Sequence, residues 1–198
     1  NTISIMKTII FLFAAMITLT SSAQNKPYYY QIPDVPTTYT PATVAARMVD
    51  GLGFRYFWAT EGLTEKDIAY KPTEDSRTSL ETLQHIDGLT FILLNAVNKK
   101  TTIGSSGFEK LTFEELRIKT LLQIQQASEI LKKPDANLED FDMIFERTNG
   151  KQEYPFWNLI NGPIADALWH VGQIVTFRRS SGNPLPKGVN VLQGTKTN

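Results

Sequence analysis

GPIADALWHVGQIVTFRR, residues 162–179, is the stretch from which the fold is read. At 100° per residue, Asp166, His170, Gln173 and Phe177 fall on one stripe of a helix. Gly162-Pro163 marks either a kink in a longer helix starting near Phe156 or a fresh start, and both readings are open.

Upstream, SLETLQHIDGL (79–89) opens a second helix. Thr78 with Glu81 is a capping box, and Leu83, Ile86, Thr90, Leu93 and Val97 then form an interior seam. His85 shares a stripe with Leu89, Ile92 and Ala96, so it should point inward. Gln84, Asp87, Asn95 and Asn98 occupy a polar arc. Thr112 and Glu115 start another helix, which runs through Leu121, Ile124, Ala127 and Leu131 until Pro134 stops it. Thr40-Pro41 starts the earliest, with Ala45, Met48, Leu52, Tyr56 and Ala59 as its apolar repeat. Gly51 and Gly53 weaken that helix, so they serve either a close contact or a bend.

Four such helices with short links predict an all-α protein, an up-and-down four-helix bundle. A small β-hairpin is expected before the last helix, where Met143-Ile144-Phe145 and Tyr154 flank Asn149-Gly150. The bundle domain is placed at 41–182. An extended arm rich in proline and tyrosine (24–40) precedes it, with Tyr28, Tyr29 and Tyr30 packing on the domain, and an irregular tail (183–198) follows. Residues 1–23 read as upstream residues and a signal peptide. Lys7 precedes an apolar run from Ile9 to Ile17, and Ser21-Ser22-Ala23 precede Gln24. That run is shorter than the roughly 20 residues of a membrane span, so the expectation is an exported protein, periplasmic or extracellular, cleaved near Ala23-Gln24.

The chain has 198 residues, 20 basic against 20 acidic, no cysteine and two histidines. The neutral balance disfavours nucleic acid as a partner. The absence of cysteine excludes disulfides, thiolate zinc sites and cysteine nucleophiles, and two histidines exclude a three-histidine site.

Both histidines fall on inward stripes. Asp166 and His170, four apart, have Cβ atoms about 5–6 Å apart and can chelate one ion, with His85 completing the set. Two imidazoles and one carboxylate suit one divalent ion, Zn, Ni, Fe or Mn, with positions left open for water or substrate. Burying Asp166 beside the core without a cation would be costly. The competing reading makes His85 a hydrogen-bonded core residue and Asp166 and His170 a helix-stabilising pair, and the residues alone leave both open. Gln173, one turn on, is expected to support the ligands, contact substrate or simply pack. Trp58, Trp157 and Trp169 are expected in the core or in a pocket wall. Arg47 and Arg55, eight apart, can reach an anionic substrate, while Arg178-Arg179 suit a helix C-terminus.

Residues 41–180 resemble the DinB/YfiT family of four-helix-bundle metalloproteins. The carriers are SLETLQHIDGL around His85 and GPIADALWHVGQIVTFRR, where His170 is followed by Gly172 and Gln173. The resemblance implies one metal ligand from the second helix and two from the last, a divalent ion and a homodimer. His85 and His170 match the first and third ligand positions. Asp166 stands where the family usually has histidine, which bears on metal identity and affinity. The implied function is a metal-dependent hydrolase or group transferase acting on an unidentified small molecule. The alternative is a non-catalytic helical module in which the same residues are core.

Overall fold

Threonine caps decide where the long helices begin. Thr40 accepts from the backbone of Thr43 at 3.1 Å and starts α1 (Pro41–Thr60), with proline in the first turn. A single turn, α2 (Glu65–Ile68), follows. Thr78 and Thr112 start α3 (Ser79–Val97) and α4 (Phe113–Leu131), each exchanging hydrogen bonds with the glutamate three residues on. The structure, a computed structural model, describes residues 26–197. The expected signal peptide lies outside them.

Next come β1 (Met143–Arg147) and β2 (Gly150–Tyr154), an antiparallel hairpin with Met143 opposite Tyr154 and Arg147 opposite Gly150. Its two turn residues are therefore Thr148-Asn149, one position earlier than expected. Gly150, at φ +107°, is the first residue of the returning strand. Then α5 (Phe156–Leu159) passes through a π-helical turn, Ile160–Ile164, into α6 (Ala165–Ser181). The helical backbone is continuous, so Gly162-Pro163 interrupts one helix rather than starting another. Proline has no N–H to donate and its ring crowds the carbonyl one turn back, and the wider turn accommodates both. Gly182, at φ +97°, ends the helix.

Side-chain pairings give the helix directions. Asp50 meets Ser128 and Lys132 while Arg117 meets Thr60 and Glu61, so α1 and α4 are antiparallel. Asp87 meets Lys119 and Thr120 and Thr90 meets Gln123, so α3 and α4 are parallel. Tyr70, just ahead of α3, lies 5.8 Å from Phe177 late in α6, whereas His85 meets Asp166 at its beginning, so those two are antiparallel. Helices α1 and α3 each pack against both α4 and α6.

The expected up-and-down order is thus corrected to up, down, down, up, with α1 and α3 across from one another. The connections permit it. A 19-residue helix spans about 28 Å, and residues 98–112 at about 3.3 Å each can return the chain over that length. Thr102 pins this return, bonding to Ile144 and Glu146 of β1 at 2.7 and 3.2 Å.

The seam Leu83, Ile86, Thr90, Leu93 and Val97 is buried as expected. Two residues depart from their pattern. Met48 of the α1 repeat is exposed, and Asp87, expected on a polar arc, is 0% exposed. Asp87 faces α4, where Lys119 (2.6 Å) and Thr120 (3.2 Å) donate to it, and Ser106 of the connection before α4 donates as well. Paired and hydrogen-bonded in this way, a charge tolerates burial.

The arm packs on α1 through Tyr29, which is buried and donates to Asp50 at 3.3 Å. Its ring lies against Gly53, where a Cβ would sit 2.3 Å from Tyr29 Cζ. Gly53 therefore serves a close contact. The tail is more ordered than expected. It forms β3 (Val189–Asn190) and β4 (Thr195–Lys196), and Gly194 accepts from the backbone of Ile32 at 2.8 Å, tying tail to arm. No helix among the described residues is long and apolar enough to cross a membrane.

Candidate metal centre

Residues from α3 and α6 converge where the two helices cross. Asp166 and His170 lie one turn apart on α6, placing His170 Nε2 3.2 Å from Asp166 Oδ1. From α3, His85 Nε2 lies 3.3 Å from Asp166 Oδ2. The rings of His85 and His170 meet edge to face, with centroids 4.7 Å apart. One donor atom from each residue falls within 4.8 Å of the others. All three side chains predicted for the site are thereby brought together.

Gln173 joins them. Its Oε1 lies 2.8 Å from His170 Nδ1. With the ring proton on Nδ1, His170 donates to Gln173 and turns the lone pair of Nε2 towards Asp166, the tautomer a metal ligand needs. Burial, the largest influence, lowers the basicity of His85. The nearby charges of His170 and Arg77 act the same way, while Asp166 opposes them. Below its usual range, His85 is neutral at pH 7 and keeps its lone pair.

Burial differs from the sequence expectation. The side chains of His85 and Asp166 are 34% and 35% exposed, and that of His170 14%. They sit at the edge of the core, half-buried. Asp166 is not stranded away from water, so its desolvation gives no argument for a cation. The donor set carries that argument: two imidazole nitrogens and a carboxylate, on two packed helices, with one imidazole oriented by a fourth residue, Gln173.

Beside His85 lies an open groove of about 540 Å³. Phe91, Ile92 and Phe145 contribute apolar surface, and Arg77, Glu81 and Arg147 contribute charge. Sequence reasoning missed Arg77 and Arg147. Arg77 precedes a helix and Arg147 ends a strand, and no periodicity connects either with His85.

The tryptophans divide. Trp58 is buried, its Nε1 donating to Tyr30 O at 3.2 Å. Trp157 and Trp169 are 74% and 73% exposed, against expectation. The buried stripe of α6 runs through Ala167, Val171, Ile174 and Arg178, and Trp169 falls on the opposite side. Arg178 belongs to that buried stripe and bonds to the carbonyls of Trp58 and Ala59 at 2.8 and 3.1 Å, so it serves more than the helix end.

These features define a mostly helical protein with a small antiparallel hairpin and a His-Asp-His cluster that can hold a metal ion. No protein-family model and no curated protein matches the sequence. Among solved structures, the crystal structure of a DinB-like protein from Bacillus subtilis is similar to this chain, with a TM-score of 0.49 and 17% identity. The similarity covers 71% of this chain and 95% of that one.

Proposed function

We propose that this chain is an exported DinB-like four-helix-bundle protein that binds one divalent metal ion through His85, Asp166 and His170. In this reading it is a metal-dependent hydrolase or group transferase acting on a small molecule, and it assembles as a homodimer. The convergence of the three donors, with His170 oriented by Gln173, carries the proposal. Export rests on Lys7, the apolar run that follows it and the small residues before Gln24.

The ion would supply Lewis acidity towards an oxygen or sulfur atom of the substrate. The chain does the rest. His170 is held in one tautomer by Gln173, His85 stays neutral, and Asp166 sets its carboxylate between the two imidazoles. The groove at His85 receives the substrate, with Phe91 and Phe145 covering its apolar part. Zn, Ni, Fe(II) and Mn all accept such a donor set.

One observation favours the second reading, a non-catalytic module. With the ring proton on Nε2 of each histidine instead, Asp166 accepts from both at 3.3 and 3.2 Å, and the three residues form a self-contained polar cluster. Elemental analysis of protein purified without a histidine tag or chelator separates the two. About one ion per chain, lost in His85→Ala and Asp166→Ala, is the expected result. Wild-type protein that stays metal-free after incubation with Zn, Ni, Mn and Fe(II) would leave the module reading standing.

A further inference from the structure

A second groove, of about 730 Å³, runs between α1 and α6 on a different face of α6 from the metal centre. Its lining includes neither histidine nor Asp166. The floor is apolar, built from Phe54, Trp58, Leu168, Val171 and Val175, and the tail covers one side with Leu185 and Val189. Gly51 and Gly172 leave room on the two facing helices. The volume is ordinary for a small-molecule site.

Charge gives this groove its chemistry. Arg47, Arg55 and Arg179 line it, and no aspartate or glutamate does. A guanidinium has five N–H donors. Arg47 gives one hydrogen bond, to Pro33 O at 2.8 Å, and Arg55 one, to Gly51 O at 3.0 Å. The guanidinium of Arg179 makes no hydrogen bond or ion pair among the described residues. By contrast, Arg117 is paired with Glu61. Among the described residues, three guanidinium groups thus share an apolar trough with no carboxylate in its lining.

We propose that this groove binds a single-chain carboxylate, with the acid held by Arg55 and Arg179 and the apolar chain lying on the floor towards Arg47. The direction follows from register. Arg178 bonds to Trp58 O, so Arg179 sits level with the end of α1, one turn from Arg55. From Trp58 back to Arg47 the helix runs roughly 16 Å, a trough long enough for an extended alkyl chain. A planar guanidinium matches a carboxylate with two parallel hydrogen bonds. The apolar floor and neutral chain disfavour a polyanion.

The test is calorimetric titration of the purified protein with laurate, below its micelle concentration, against dodecyltrimethylammonium as the cation of similar chain length. One laurate per chain is expected, with the cation weaker by about tenfold or more. Arg55→Gln with Arg179→Gln should weaken laurate by at least about tenfold. Gly172→Leu should block it, since Gly172 lines the groove and a Cβ there meets nothing within 4 Å, which leaves the added side chain to enter the trough. Circular dichroism melts check that each variant folds. Absence of laurate binding, equal binding of the cation, or laurate affinity unchanged in both variants would each overturn the proposal. So would a wild-type dimer that Gly172→Leu dissociates, because a second copy would then occupy the groove.

Discussion

His170 and Gln173, three residues apart on α6, are joined by a 2.8 Å contact between Nδ1 and Oε1, while Nε2 of the same ring faces Asp166 at 3.2 Å. The imidazole is thus fixed at Nδ1, and Nε2 is left to face the site. A ligand fixed in this way loses little freedom when an ion binds.

Gln173→Leu removes that acceptor while keeping the helix. Metal affinity should fall by about 10–100-fold, as for other residues that orient a ligand. Titration against a chromophoric chelator measures it. The same affinity in the variant would reduce Gln173 to a packing residue.

Gly53→Ala should loosen the arm. Its new Cβ meets the Tyr29 ring at 2.3 Å, so Tyr29 must leave or α1 must shift, at about 1–3 kcal/mol. Chemical denaturation reads the loss, and limited proteolysis should find residues 26–40 newly sensitive. A variant as stable and as resistant as wild type would mean that Tyr29 does not hold the arm.

Asp67 should contribute to stability against acid. Burial pushes its carboxyl upward, but hydrogen bonds from Asn183, Ser181 and both donors of Thr64 outweigh this and hold it well below the usual carboxylate range. A depressed folded value contributes stability that is present above the unfolded value, about pH 3.9, and is lost as pH falls below it. Asp67→Asn should therefore be less stable at pH 7 and flatter below about pH 4. Urea midpoints at pH 7, 4 and 3 test this, and parallel pH curves for the two proteins would refute it.

Asp87→Ala strands the ammonium of Lys119 and the hydroxyls of Ser106 and Thr120 around an empty centre. Removing one partner of a buried pair costs about 3–5 kcal/mol. Lys119 is partly exposed and can turn to water, so the lower end is expected from urea denaturation. A loss under about 0.5 kcal/mol would place Asp87 among ordinary surface residues.

The sequence by itself determined the helices, their capped starts, the hairpin and which residues are candidates for the centre. These depend on short-range rules: a threonine accepting from the backbone three residues on, a 3.6-residue period, and two side chains one turn apart. Asp166, His170 and Gln173 were legible for that reason, all lying within eight consecutive residues. Only the tertiary structure decided that α3 runs parallel to α4, because residues 98–112 are long enough for either course and carry no periodicity to choose one. It also decided that Asp87 is buried and Asp166 partly exposed, since a helix face becomes core or surface according to which neighbour covers it. The meeting of His85 with Asp166, 81 positions apart, belongs to the same class. So does the gathering of Arg47, Arg55 and Arg179 around one trough, because contact between α1 and α6 is a property of packing and not of either segment alone.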